Sequence, residues 1–266
     1  MDWSRTKTIF IMVFLVLDIF LLYQFLDKKD STQIDPITEA SVEEQMKEDG
    51  IKFPSLPNEE KQENILIAKR KEFSKDDSKK LENQQVSIND ETTLVGTFEK
   101  SIIVNEEFKP GELAEFLKEN IYQGERYKFW SYEESSNSII YYQSFGNKTF
   151  YNNTNAKLTL RLNENREIVS YEQTYLEDIK PMNKKESVIS ANQAIANLFN
   201  KGHLPEKSEI SKDDVELGYY NLLKSSSASY LLTPTWWVKV NGKDMFVKAF
   251  DGEVIELNTE EKILLE

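Results

Sequence analysis

The sequence predicts an α+β protein: a single N-terminal transmembrane helix followed by a bilobal extracytoplasmic domain of antiparallel sheets, each packed by a helix. Three observations lead there. Residues 9–26, IFIMVFLVLDIFLLYQFL, are almost wholly apolar. Beyond them, runs of aromatic and β-branched residues are punctuated by turn signals, the mark of strands. The order of one amphipathic helix followed by an antiparallel meander also occurs twice, with helix 109–120 leading to a hairpin near 158–176 and helix 187–201 leading to one near 236–257.

The apolar stretch is long enough to span. Eighteen helical residues cover about 27 Å, close to the roughly 30 Å hydrocarbon core. Fourteen of the eighteen are Leu, Ile, Val or Phe. At about −0.3 to −0.6 kcal/mol each they outweigh the roughly +2.5 to +3.5 kcal/mol of one Asp near the centre. No small-x-small cleavage site follows, so the segment reads as an uncleaved anchor rather than a signal peptide. Arg5 and Lys7 precede it and Lys28 and Lys29 follow it. The positive-inside count is therefore nearly even. The short head favours a cytoplasmic N-terminus of residues 1–8 and an extracellular C-terminal domain.

A polar linker, 27–36, leaves the membrane. A short helix follows, with Ser41 and Glu44 in capping-box spacing and Gly50 as its stop. Pro-punctuated turns lead to a strand over 64–73. Residues 74–92 are polar and charged and read as an exposed loop; a strand resumes at 93–104. Helix 109–120 carries Leu113, Phe116 and Leu117 on one face. Then come strands. In the best defined hairpin Leu158, Leu160 and Leu162 alternate, 163–165 turn, and Ile168 begins the return. After Pro181 a helix over 187–201 shows Val188, Ala191, Ile195 and Leu198 on one face and ends at Gly202. Asn241-Gly242 is a type I′ hairpin signal, and Asp251-Gly252 marks a second turn. The predicted lobes are 37–180 and 181–266.

Composition narrows function. The net charge is −13, and the charged residues of 1–26 sum to zero, so the acidic excess belongs to the outer part. An acidic body is a poor partner for nucleic acid or for anionic lipid heads. With no cysteine, neither disulfides nor a thiolate metal site exists. The single histidine, His203, follows a helix stop and fits a helix C-terminus. Asp213/Asp214 is the kind of pair a glycosidase uses, but 46 acidic residues make such pairs by chance. No phosphate loop, zinc motif or nucleophile elbow is present in the sequence, and no catalytic residue, metal or cofactor is expected. Trp236, Trp237, Tyr141, Tyr142, Tyr127, Phe129 and Trp130 form aromatic clusters. Alternation sends one neighbour in and the next out, so half should be core and half exposed or at a lobe interface, and core packing is favoured over ligand contact.

Asp18 is the one residue that lipid cannot solvate. Intramembrane carboxylates usually face another helix. Helical spacing places Asp18 on one stripe with Ile11, Phe14, Leu15, Leu21 and Leu22, the candidate partner-binding face.

The opening MDWSRTKTIFIMVFLVLDIFLLYQFL and the closing PTWWVKVNGKDMFVKAFDGEVIE resemble the YycI (WalI) family of single-pass membrane proteins from Gram-positive bacteria. The closing meander also looks PepSY-like. The resemblance implies a non-enzymatic accessory regulator of the WalK (YycG) sensor histidine kinase, acting with a related membrane protein, YycH, in the control of cell-wall metabolism. It brings no catalytic residues. Two other readings compete. A PepSY-like peptidase inhibitor or chaperone would expose its aromatic clusters beside a peptide-accepting edge. A sensor of wall ligands would line a pocket with Trp236, Trp237 or tyrosines.

Overall fold

The computed structural model describes residues 3–32, 36–56, 61–79, 81–105, 108–182, 184–222 and 229–256. Residues 57–60 of the Pro-punctuated segment, and 257–266 of the second predicted lobe, lie outside them. The fold is mixed α and β, rich in sheet and poor in helix.

The first helix, α1, runs Trp3–Thr32. It continues past the predicted span into the segment read as a linker. Its stretch Thr6–Leu26 has a mean hydropathy of 2.5, and none of it is buried against the rest of the chain. This is long and apolar enough to cross a membrane. The second helix, α2, is Pro36–Glu48. It starts five residues earlier than the capping-box reading placed it, so Ser41 lies within the helix. Gly50 adopts φ +72° just beyond its end, where a side chain would be strained.

Fifteen described strands follow in chain order: β1 Lys61–Glu63, β2 Leu66–Arg70, β3 Gln84–Asn89, β4 Thr93–Ile103, β5 Tyr127–Glu133, β6 Ser138–Phe145, β7 Lys148–Tyr151, β8 Lys157–Leu162, β9 Glu167–Gln173, β10 Leu176–Pro181, β11 Glu186–Val188, β12 Val215–Asn221, β13 Ser229–Val240, β14 Lys243–Lys248 and β15 Val254–Ile255. Short helices α3, Lys75–Ser78, and α4, Ala114–Asn120, lie in the first half, and α5, Ala191–Asn200, lies in the second.

Further elements differ from expectation. The helix read over 109–120 is a 3₁₀ turn over Pro110–Leu113 followed by α4 from Ala114. The polar stretch 74–92 contains α3 and β3. Strand β3 pairs along its length with β4 and half-buries Val86 and Ile88. The second amphipathic helix begins at Ala191, not at 187, because residues 186–188 pair with β1. Ser190 is the true cap. Its hydroxyl accepts from the Gln193 N–H at 3.1 Å, and the Gln193 side chain accepts from the Ser190 N–H at 2.9 Å. At the other end Gly202 takes φ +75°, the Gly202 N–H reaches the Phe199 carbonyl, and the His203 N–H reaches the Leu198 carbonyl. This is a Schellman motif, which satisfies carbonyls that a helix end leaves free. The predicted 241–242 turn is present, with φ +50° at Asn241 and +82° at Gly242, as type I′ requires.

Apolar residues gather in two large clusters. In the first, Leu113 and Leu117 of the α4 region cover Leu94, Ile139, Tyr141, Leu158, Leu160, Ile168 and Tyr171 of the sheet. In the second, Ile195 and Leu198 of α5 pack on Trp236, Val238 and Val247. Helix α2 joins this second cluster through Val42 and Met46. Strand β2 likewise pairs with β13 and β10. Residues that precede the first sheet thus contribute to the packing of the second.

Thirteen strands form one hydrogen-bonded path, β10-β2-β13-β12-β7-β6-β8-β9-β4-β3, with β5 beside β6 and β14-β15 beside β13. The halves meet where β7 runs parallel to β12, with Phe150 opposite Tyr219 and Tyr151 opposite Tyr220. This close approach needs Gly218. A Cβ there would lie 2.3 Å from the Tyr151 ring and 2.5 Å from the Thr149 carbonyl oxygen.

Candidate functional site

The junction between the halves is built from aromatic rings. Trp130 of β5 stands 5.5 Å from Tyr142, 5.7 Å from Tyr151 and 5.3 Å from Trp237, centroid to centroid. Phe246 adds contacts of 5.6 Å to Tyr151 and 5.2 Å to Tyr220. Tilted and edge-on pairs at these distances suit the ring quadrupoles. Polar groups fix the seam. The Tyr151 hydroxyl donates to the Glu216 carbonyl at 3.1 Å, and the Trp237 indole donates to Asp244 at 2.7 Å. Lys128 reaches the Glu216 carboxylate at 2.8 Å across the same junction. Burial pushes the Tyr142 and Tyr151 hydroxyls well above the usual tyrosine range and raises the Asp244 carboxyl. These groups hold the halves together.

Tyr141 and Tyr142 alternate between faces as expected, and both are buried, at 1% and 4% exposure. Tyr141 faces the α4 cluster, and Tyr142 faces the seam on the opposite side of the sheet. Trp236 is also buried, and its indole donates to the Ile189 carbonyl at 3.0 Å. Tyr127 is buried against Gln173 and the Thr174 carbonyl. Phe129 and Trp130 are half-buried in the packing just described. The exposed aromatics that a peptidase inhibitor would need are therefore lacking at these positions. Trp236 and Trp237 are not among the residues lining the concavity of β6, β8 and β9.

The remaining candidates resolve into structural roles. His203 closes α5 through its backbone. Asp214 accepts from the Ser211 N–H at 3.2 Å in a short 3₁₀ turn, and its neighbour Asp213 is exposed. Among the described residues no group of three metal-ligating side chains comes together.

What stays uncovered is the apolar stretch of α1. Ile11, Phe14, Leu15, Leu21 and Leu22 are each between half and three-fifths exposed, and Asp18 is exposed among them. No other described part of the chain packs on that face. The helix therefore presents a carboxylate flanked by large aliphatic and aromatic side chains, a surface suited to another apolar helix that carries a hydrogen-bonding group.

Comparison with solved structures gives several neighbours, of which three are described. An uncharacterized protein from Eubacterium rectale ATCC 33656 aligns with a TM-score of 0.46 at 10% identity, covering 74% of this chain and 87% of that one. YycH from Bacillus subtilis aligns with a TM-score of 0.36 at 17% identity, over 60% of this chain and 41% of that one. The YpeB C-terminal domain of Bacillus megaterium gives a TM-score of 0.36 at 12% identity, over 85% and 99%. A search of curated proteins gives no match. The family model described as YycI protein matches residues 30–250, most of the chain and all of the sheet-bearing part up to the last turn. The chain belongs to the YycI family.

Proposed function

We propose that this protein is a non-enzymatic, membrane-anchored regulator that binds the WalK (YycG) sensor histidine kinase together with YycH and so modulates cell-wall metabolism. In this reading the N-terminus is cytoplasmic and the sheet-rich domain is extracellular. Membership of a regulatory accessory family supports it. The observation that carries the binding step is the uncovered stripe Ile11, Phe14, Leu15, Asp18, Leu21 and Leu22 on α1. A lone carboxylate in hydrocarbon gains from a partner helix that offers a donor, and such a bond contributes about 0.6–2 kcal/mol. Shape and contacts outside the membrane supply the rest. The helix would act by contacting two arrangements of the kinase's transmembrane bundle unequally, since only differential contact shifts such an equilibrium.

The test is co-purification of the intact chain with the kinase from membranes, comparing wild type with Asp18→Leu and Asp18→Asn. Leucine makes the helix more apolar, so failed insertion does not explain a loss. The reading expects kinase recovery to fall sharply with leucine and partly with asparagine. Normal recovery and normal regulation with both variants would remove Asp18 from the interface.

A further inference from the structure

On the sheet face opposite the α4 cluster, β6, β8 and β9 line a concavity of about 320 Å³. Its walls carry charge of both signs in equal number, Lys157 and Arg161 against Glu133 and Glu172, in a chain that is otherwise strongly acidic. Ile140 lies on its floor, at 2% exposure, and Thr159 sits between the two cations. Lys157 and Arg161 stand on one strand four residues apart, about 13 Å at 3.3 Å per residue. Arg161 is held by Glu172 only loosely, at 3.7 Å. The Lys157 ammonium has no ion pair in contact among the described residues, although the side chain is half-buried. Burial pulls Lys157 below the usual lysine value, while Glu133 and Glu172 act in the opposite direction. A partly desolvated cation without a contact partner is costly unless something pairs with it.

We propose that this concavity binds a short peptide in zwitterionic form. Its free carboxylate would pair with Lys157 and accept from Thr159. Its ammonium would lie against Glu172 and Glu133, and a small aliphatic side chain would sit over Ile140. The balance of charge selects this class. A polyanion would meet both glutamates, a polycation would meet Lys157 and Arg161, and an uncharged ligand would leave Lys157 as it is. The size also suits a dipeptide or tripeptide, at the low end of small-ligand clefts. The site is independent of the membrane helix and of what the chain regulates.

The experiment is a titration of the full-length, isotope-labelled chain in nanodiscs, followed by amide chemical shifts. The probes are L-alanyl-L-alanine and its acetylated, amidated counterpart, which has the same length and no charge. Saturable shifts confined to β6, β8 and β9 are expected with the first probe and absent with the second. Lys157→Met retains the aliphatic stem, and Glu172→Gln changes an exposed group. Each removes one charge-assisted contact and should weaken binding roughly tenfold or more. Shifts elsewhere report whether each variant keeps its fold. Equal binding of the blocked peptide, no saturable shift with alanyl-alanine, or unchanged affinity in either folded variant would overturn the proposal.

Discussion

Replacing Gly218 with alanine tests whether the junction holds the two halves as one unit. The added Cβ would stand 2.3 Å from Cε2 and 2.6 Å from Cζ of Tyr151, and 2.5 Å from the Thr149 carbonyl oxygen. Carbon atoms pack at about 3.5–4.0 Å, so something must move by more than an ångström. Neither neighbour has room. Thr149 is fixed in the β6-β7 hairpin opposite Ser144, and the Tyr151 ring is 1% exposed among Trp130, Trp237 and Phe246. Overpacking a tight core costs about 1–3 kcal/mol. If the ring shifts enough to break its hydrogen bond to the Glu216 carbonyl, about 1 kcal/mol more is lost. The expected destabilisation is therefore about 2–4 kcal/mol. Urea unfolding followed by tryptophan emission reads it directly, because Trp130 and Trp237 lie in the affected seam. Gly111→Ala is the control: nothing lies within 4 Å of its Cβ position, and a change below about 0.5 kcal/mol is expected. Adding Tyr151→Ala to Gly218→Ala removes the obstacle, so the double variant should be less destabilised than the sum of the singles. A Gly218→Ala protein as stable as wild type, or strict additivity with Tyr151→Ala, would refute the argument.

Ser190→Ala removes the reciprocal cap of α5 and should cost about 1 kcal/mol in the same unfolding assay, with Thr restoring most of it. Met46→Ala empties a position that is 1% exposed between α2 and the second cluster, and a loss of about 2–5 kcal/mol is expected from the urea midpoint. Asp244 has a folded pKa above its ordinary 3.8, raised by burial despite its bond from Trp237 and the nearby Lys239. The folded state therefore holds that proton more firmly than the unfolded chain does. The charged carboxylate opposes folding above the raised value, and the penalty disappears as pH falls through that value towards 3.8. Asp244→Asn should thus gain most relative to wild type near neutral pH, with the difference shrinking on acidification. A difference that grows towards low pH would contradict this.

The local elements were legible because each has a local cause. The alternation of Leu158, Leu160 and Leu162, the Asn241-Gly242 turn and the stripe on helix 109–120 are all written within a few residues. Strand β3 escaped notice because an edge strand with one half-buried face needs only Val86 and Ile88, and these are diluted by polar neighbours. The start of α5 was misplaced because Val188 fits the helical period, although Ser190 and Gln193 already spelled the cap. The pairing of β7 with β12 has no local signature: two residues of each strand meet across a long stretch of chain. Tyr142 is buried for the same reason, since its cover comes from the junction. In the concavity, Lys157 and Arg161 looked like the ordinary solvent-facing positions of an alternating strand. Only the curvature of the sheet and the position of Glu133 on a neighbouring strand bring opposite charges to one place.

The packing of α2 against α5, in a cluster shared with β13 and β14, has a consequence for biosynthesis. The segment that follows α1 cannot complete the burial of Val42 and Met46 until α5 and the β13-β14 hairpin have been made. About 200 residues separate the two, so at roughly 5–20 residues per second the ribosome needs some 10–40 s to supply the missing surface. During that interval α2 lacks most of its native cover, while the sheet packed by α4 already has all of its strands. The nascent protein should therefore mature from its middle outwards, with the cluster that covers α2 completed last. A chaperone that shields newly made chains would find its longest-lived client surface on α2.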